Sequence, residues 1–257
     1  KKVHKFDSLG LFYISAIIVA LTLIMEFLSI GFTQWSIISI TLLVTIICII
    51  CYIKHSKKTT NPIIDLNLFK IDTLRIGLLG NLFTRLGIGG MPLLLPLMLQ
   101  VGYGHSASVS GMLLIPSAIA NVIAKSFVVP LVRKYGYKTV LISNTLILAF
   151  IIAMFSLTNS QTPLIYFVPL LVVFGAANSI QMSAMNTITI ADLTNDNVSS
   201  GNSLLAIMQQ LSNSFGVSIA ALLLSFITQI NLFDKDVSSA FKFTFIIIGI
   251  ITALSCF

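Results

Sequence analysis

The chain has 257 residues, of which 56% are hydrophobic and only 9% are charged, and its mean hydropathy is +1.01. About a quarter of the residues of an ordinary soluble domain are charged, so this composition excludes that class. The net charge of +7 does not indicate nucleic-acid binding, because the basic residues form short clusters between apolar segments rather than one surface patch.

Eight apolar runs follow one another along the chain, most of them about as long as the ~20 residues that cross a bilayer as a helix. Without water in the hydrocarbon core, each backbone polar group must be paired, and long runs without alternation achieve this as helices. The sequence therefore predicts an all-α integral membrane protein with about eight transmembrane helices. The predicted spans are 9 to 30, 35 to 53, 75 to 100, 107 to 131, 138 to 157, 163 to 187, 202 to 229 and 241 to the end.

Basic residues concentrate in every second gap between these runs, as the positive-inside rule describes for cytoplasmic loops. This bias predicts a cytoplasmic amino terminus for the chain. Eleven of the fifteen Lys and Arg residues follow the pattern: Lys1, Lys2, Lys5, Lys54, Lys57, Lys58, Lys70, Arg75, Arg133, Lys134 and Lys138.

The third span contains a charge far from either end. Arg85 lies ten residues after Arg75, about 15 Å along a helix at 1.5 Å per residue. Asn81 precedes Arg85 by one turn on the same face and is a candidate cavity residue with it. A charge inside a span costs at least ~2.5 kcal/mol and usually lines a cavity or joins an ion pair. We interpret Arg85 as a cavity residue that orients substrate or biases a neighbouring protonation, with a buried ion pair as the alternative.

The sixth span carries a face of amides and thioethers, formed by Asn178, Gln181, Met182 and Met185. These four residues lie within about 100° of one another at the helical period. Methionine is flexible and polarizable, which suits a site for varied apolar ligands. The four residues are therefore candidates for a substrate-binding cavity lining.

The seventh span combines amides and small residues on one face. Ser212, Gly216 and Ala220 repeat at every fourth position, a spacing that favours close packing of two helices. Gln209 and Asn213 share this face, and for them interhelical hydrogen bonding and cavity lining remain equal alternatives.

No motif for catalysis, metal binding or cofactor binding is evident. Cys48 and Cys51 form a C-x-x-C among isoleucines, without the second ligand pair of a zinc site, and we interpret them as buried thiols. The sequence has neither H-E-x-x-H nor a P-loop. Transport by this protein would therefore depend on an ion gradient rather than on ATP.

Several stretches resemble a known family. They are NPIIDLNLF in the long second gap, RLGIGGMPLLLPLMLQVGYG in the third span, GMLLIPSA in the fourth, and AMNTITIADLTNDNVSSGNSLL with MQQLSNSFGVSIAALLL in the sixth and seventh. Together they are similar to the major facilitator superfamily, in its fourteen-span EmrB/QacA-type branch of drug:proton antiporters. The resemblance extends over essentially all of the chain.

The resemblance implies a domain organisation and a site. Residues 1–58 would be the extra two-span segment, residues 59–74 a cytoplasmic linker, and residues 75–257 the carboxy-terminal six-helix half. The amino-terminal six helices would be missing, and the chain, which ends inside an apolar run, is expected to be part of a longer protein. Spans three, four, six and seven would line a central cavity in a bacterial cytoplasmic membrane protein.

One departure concerns the gap between the fourth and fifth spans. Family members often have an acidic and then a basic residue before a glycine in this gating loop, whereas this chain has Arg133, Lys134, Tyr135 and Gly136. A gating ion pair is therefore in doubt. The proton-exchanging carboxylates would lie in the absent half.

The sequence thus predicts a proton-driven exporter of small amphipathic compounds without a cofactor. A metabolite, peptide or siderophore is the alternative cargo. An integral-membrane enzyme is a further alternative, but it would need acids gathered at one membrane face. The acids Asp192, Asp196, Asp234 and Asp236 are instead predicted on opposite sides.

Overall fold

Helices make up most of the computed structural model, which describes residues 7–30, 35–59, 62–64, 66–194, 197–229 and 237–256. Lys1, Lys2, Lys5, Asp196, Asp234 and Asp236 lie outside these residues. The α-helices of the described part are α1 (Ser8–Ile30), α2 (Trp35–Ser56), α3 (Asp72–Ile88), α4 (Met91–Leu97), α5 (Ala107–Met154), α6 (Phe167–Thr189), α7 (Val198–Gln229) and α8 (Val237–Leu254).

Five helical stretches of the described part are long and apolar enough to cross a membrane: Trp35–Ser56, Asp72–Gly102, Ala107–Leu157, Leu164–Thr189 and Val198–Thr228. Two shorter apolar helices, Ser8–Ile24 and Ser238–Leu254, correspond to the first and last predicted spans. The prediction of an all-α membrane bundle is confirmed.

The third predicted span is one helical stretch with two irregularities. A turn at Gly89 and Gly90 separates α3 from α4, and Pro92 lies in the first turn of α4, where its missing N–H costs nothing. After Pro96 the chain continues as the π-helix Met98–Gly102. The turn lies beside α7, so the irregular backbone faces a neighbouring helix rather than lipid.

The fourth and fifth predicted spans are the two arms of α5. The arms meet at Gly136, whose φ of 77° and ψ of 158° are non-helical. Only glycine adopts this combination readily, because a Cβ atom would clash with its own backbone. The gap predicted between residues 131 and 138 is therefore a bend at a single residue.

Apolar clusters hold the two ends of the bundle. One cluster joins the start of α1, the end of α2, the linker, and the starts of α3 and α7, through buried residues that include Ile14, Tyr52, Leu68, Leu74 and Leu204. The other cluster joins the five helices from α4 through α8. Its buried residues include Met98, Phe155, Phe167, Phe241 and Phe245. Helix ends thus alternate between the two ends of the bundle, as the order of spans requires.

Helices α1 and α2 are attached at the side of the bundle. α1 packs on α7, whereas α2 packs chiefly on α1 and exposes most of its Ile, Leu and Val side chains. Such an apolar surface would be unstable in water and is matched to lipid. The pair therefore extends the bundle laterally.

A polar contact links α1 to α2 at the linker end. His55 Nε2 donates to Asp7 Oδ1 at 2.7 Å, and the Gly10 N–H donates to the same oxygen at 2.8 Å. Burial alone would raise the pKa of Asp7, but these two hydrogen bonds, the charge of His55 and the backbone N–H of Ile63 together outweigh burial, so the pKa is lowered. The ionised carboxylate therefore stabilises this contact.

Candidate functional site

A cavity of about 340 Å³ lies where α3, α4, α6 and α7 meet. A volume of this size is typical of small-molecule sites. Its lining includes four of the residues singled out in the sequence, namely Arg85, Asn178, Met182 and Asn213. The remaining lining residues are Ile88, Gly89, Pro92, Phe174 and Val217.

Arg85 is half-buried and is held by two amides. Its Nη1 donates to Asn213 Oδ1 at 2.9 Å, and its Nε donates to Asn81 Oδ1 at 3.5 Å. Both partners are neutral, and the lining of the cavity contains no acid among the described residues. The guanidinium charge is thus held in the bundle by dipoles rather than by a carboxylate.

Asn81 lies behind Arg85 and outside the cavity lining. It is 1% exposed, and its Nδ2 donates to Gly77 O at 3.1 Å and to Thr189 Oγ1 at 3.4 Å. The bond to Thr189 ties α3 to the end of α6, and both bonds direct the Asn81 oxygen toward Arg85. Asn81 therefore positions the arginine and does not itself face the cavity.

The structure does not bring Gln181 to the cavity, and its placement there is corrected. Gln181 is 1% exposed; its Nε2 donates to Thr145 Oγ1 at 2.9 Å, and its Oε1 accepts from Asn144 Nδ2 at 3.0 Å. Asn144 also donates to Ala177 O at 2.7 Å. Gln181 follows Asn178 by three residues and lies at the edge of the polar face of α6, where that face meets α5. Its side chain therefore joins α6 to α5.

Met185 is also absent from the cavity lining. Its Sδ and Cε atoms lie 3.2 and 3.1 Å from the point where a side chain on Gly80 would begin. Met185 therefore packs α6 against α3, one turn beyond Met182. Of the predicted face, Asn178 and Met182 line the cavity.

The two amides of α7 have different roles. Gln209 Nε2 donates to Asn186 Oδ1 at 2.8 Å, which is an interhelical hydrogen bond to α6. Asn213 forms an interhelical hydrogen bond, in which it accepts from Arg85 of α3, and it also lines the cavity.

Small residues allow α7 to approach α3 at the level of Arg85. A Cβ atom on Gly216 would meet the Arg85 carbonyl oxygen and would lie 2.9 Å from Gly89 Cα. Ser212 and Ala220, one turn to either side, are fully buried. The predicted packing role of this spacing is confirmed.

A second cavity, of about 470 Å³, adjoins the first. It lies between α4, the first arm of α5 and α6, and shares Pro92, Phe174 and Asn178 with the first cavity. Its polar lining residues are Ser117, Asn121 and Asn178. The two cavities together are lined by the third, fourth, sixth and seventh predicted spans.

The bend of α5 presents basic side chains to solvent. Arg133, Lys134 and Gly136 are exposed, and Lys134 Nζ lies 5.1 Å from the ring centroid of Tyr135. The sequence between Asp72 and Asp192 contains no Asp or Glu, so no acid lies near this bend in the sequence.

No metal site is evident among the described residues, where no three His, Cys, Asp or Glu side chains cluster. Cys48, Cys51 and Cys256 are partly buried free thiols. The polar side chains that line the two cavities are amides, one serine hydroxyl and the guanidinium of Arg85.

Sequence reasoning missed the apolar part of the cavity lining. Ile88, Phe174 and Val217 are ordinary residues of a membrane helix, and nothing in their type separates a cavity wall from a lipid-facing surface. The nearby polar residues supplied the one usable signal, because Phe174 precedes Asn178 by one turn and Val217 follows Asn213 by one turn.

Comparison with known proteins gives a consistent result. The chain is 31% identical over 95% of its length to "Probable transport protein HsrA" of Haemophilus influenzae, covering 53% of that protein. It is 33% identical over 98% of its length to "Putative multidrug resistance protein MdtD" of Pectobacterium atrosepticum, covering 54% of it. A Salmonella heidelberg protein of the same name is 36% identical over 80% of the chain, which covers 44% of that relative.

The chain thus spans about half the length of the curated relatives that it matches. The family model of the Major Facilitator Superfamily matches residues 6–217 and 77–257, which together include nearly all of the chain. The helical bundle and the relatives agree with this match. This multi-pass membrane chain belongs to the Major Facilitator Superfamily.

Proposed function

We propose that the chain is the carboxy-terminal portion of a secondary active transporter that exports small amphipathic compounds in exchange for protons. The observation that carries this proposal is the pair of adjoining cavities, which combine apolar walls with a few amides and one arginine. The names of the MdtD relatives, which refer to multidrug resistance, support it. Within the part of the chain that the structure describes, no three His, Cys, Asp or Glu side chains cluster.

In this proposal residues 1–58 form an extra two-helix segment, residues 59–74 a cytoplasmic linker, and residues 75–257 one half of the transporter. A second half of six helices would face the cavities and complete the binding site. Rocking of the halves would open the site to each side of the membrane in turn. The amino terminus and the bend at Gly136 would lie on the cytoplasmic side of a bacterial inner membrane.

Proton coupling would depend on carboxylates outside this chain's six-helix part. The sequence has no Asp or Glu between Asp72 and Asp192, so α4, α5, α6 and all of α3 after its first residue offer no carboxylate. Substrate would be held by the apolar walls and amides, and Arg85 would provide the electrostatic contribution. A carboxylate in the second half would exchange the proton.

The test uses the complete protein in liposomes with an imposed pH gradient. We expect gradient-dependent movement of labelled amphipathic compounds, abolished in the Arg85→Ala variant at equal protein abundance. Lys125→Ala is the matched control, because Lys125 is an exposed cation of α5 outside both cavities.

Two results would contradict the proposal. Normal efflux by the Arg85→Ala variant would show that transport does not require the arginine. Movement that ignores the pH gradient for every compound tested would remove proton coupling.

A further inference from the structure

We infer that the cavity around Arg85 selects amphipathic organic anions, with the ligand's carboxylate paired to the Arg85 guanidinium. This inference rests on the proposed transport function and specifies the substrate class of the same cavity. It follows from the positive charge of Arg85, the hydrogen-bond donors beside it and the lack of an acid in the described lining.

The guanidinium retains donors for a ligand. Of its five N–H groups, the observed hydrogen bonds use one on Nη1 and the one on Nε. The second Nη1 hydrogen and both Nη2 hydrogens therefore have no bonding partner among the described residues. Arginine pairs with carboxylates in a planar, bidentate arrangement, so these donors match an anionic group.

Neighbouring amides add donors. Asn213 uses its oxygen as the acceptor from Arg85, which leaves its NH₂ group as a donor. The Asn178 amide lines both cavities and forms no hydrogen bond with a described residue. A carboxylate beside Arg85 would find additional donors within the same lining, whereas a cationic ligand would meet a like charge.

The lining also explains why the anion should be amphipathic. Ile88, Phe174 and Val217 form apolar walls of the first cavity, and Met182 adds a polarizable thioether. The adjoining cavity extends this space toward Leu114 and Ala118 of α5. An apolar body would therefore occupy the walls while its carboxylate lies at Arg85.

Charge balance favours a ligand anion as the partner of Arg85. Arginines inside membrane bundles usually pair with an acid or face a water-filled cavity. Arg85 has only neutral amide partners, and no acid occurs from residue 73 to residue 191. The competing arrangement is a carboxylate of the second half that pairs with Arg85, and the experiment below separates the two.

The test measures equilibrium binding of three radiolabelled probes to the purified complete protein: an arylalkyl carboxylate, its primary amide and the matching amine. We expect the carboxylate to bind at least about tenfold more tightly than either of the others, because a hydrogen bond to a charged group contributes that factor or more. Arg85→Gln should remove this preference, and it should weaken binding of the amide much less than binding of the carboxylate. Arg85→Lys should retain part of it, since lysine keeps the charge without the planar fork.

Lys125→Gln is the control for loss of an exposed cation, and its binding should equal that of the wild type. Thermal unfolding in detergent checks that each variant, and Arg85→Gln in particular, remains folded. Arg85→Lys tests the role of the positive charge in a second variant. Equal affinity for the three probes, or a preference for the amine, would overturn the inference while leaving transport intact. An equal loss for all probes in Arg85→Gln would also overturn it, because that pattern indicates an ion pair with the second half.

Failure of the proposed function looks different. The wild-type protein would then neither bind nor move any of the three probes, whatever their charge. That result would overturn both statements, whereas gradient-driven movement of the amide and amine alone would overturn only the anion selectivity.

Discussion

Arg85 of α3 and Asn213 of α7 are 128 residues apart in sequence, yet Arg85 Nη1 lies 2.9 Å from Asn213 Oδ1. The bond forms beside a close approach of the two helices, where Gly216 faces Gly89. The position of the only cation in the described cavity lining is thus set by two helices together. A change on α7 can therefore alter the position of the Arg85 charge on α3.

Replacing Asn213 with Asp tests this relationship. The new carboxylate would accept from Arg85 and neutralise the charge of the cavity, so we expect binding of the carboxylate probe to fall at least about tenfold. Asn213→Ala is the matched variant, because it removes the same amide while leaving the positive charge unpaired. Equilibrium binding of the carboxylate and amide probes provides the measurement, and unchanged carboxylate affinity in Asn213→Asp would contradict the prediction.

The glycine contact between α3 and α7 gives a second prediction. In Gly216→Ala, the added methyl group would collide with the Arg85 carbonyl and with Gly89, so the two backbones must separate. We expect a loss of about 1–3 kcal/mol in the free energy of unfolding, as for other overpacked sites. The measurement is the unfolding midpoint in detergent.

Gly111→Ala is the control for this substitution. Gly111 lies in α5, and nothing lies within 4 Å of where its Cβ would be. Alanine is the better helix former, so this variant should be neutral or slightly stabilised. Equal midpoints for the two variants would show that the close approach at Gly216 is not needed for stability.

The helical membrane architecture and the packing of α7 were predictable from sequence, because both depend on local composition. Apolar length determines a span, and Ser212, Gly216 and Ala220 mark one close-packed face whatever the partner helix is. The bend at Gly136 was only partly predictable. The basic gap indicated an interruption, but the sequence does not distinguish a loop from a single residue with positive φ.

The cavity was predictable only through its polar residues. A helical wheel groups Gln181 with Asn178, yet the two are about 60° apart around the axis, and that angle decides which neighbour each one meets. Gln181 reaches Asn144 and Thr145, whereas Asn178 faces the cavity. Which helix lies at which angle depends on the packing of the whole bundle, and this information is not contained in the periodicity of α6.

The different environments of Gln181 and Asn178 lead to a third prediction. Gln181→Leu should lower stability by about 0.6–1.7 kcal/mol for each hydrogen bond lost within the bundle, and leave the ratio of carboxylate to amide binding unchanged. Asn178→Leu, one turn away, should have the opposite profile, with altered probe affinity and little change in unfolding midpoint. If Gln181→Leu changed probe selectivity at unchanged stability, Gln181 would act in the cavity and not in the contact between α5 and α6.

Asp7 gives a prediction for the pH dependence of stability. Its pKa is lowered in the folded protein, so the ionised carboxylate stabilises the contact with His55 and Gly10. This contribution is fully present above the unfolded pKa of about 3.9 and is lost as the pH falls from there through the lowered folded pKa. Asp7→Asn keeps the shape of the side chain but cannot ionise, so the wild type should be the more stable of the two at pH 7.

The measurement compares the unfolding midpoints of wild type and Asp7→Asn at pH 7, pH 5 and pH 3, values chosen around the ordinary carboxyl pKa of about 3.9. The advantage of the wild type should be smaller at pH 3 than at pH 5, because protonation of the carboxylate makes the two side chains alike. Glu26→Gln is the control, because Glu26 lies in the second half of α1, away from the contact between Asp7 and His55. An advantage that grows as the pH falls from 5 to 3 would mean that burial, rather than hydrogen bonding, dominates at Asp7.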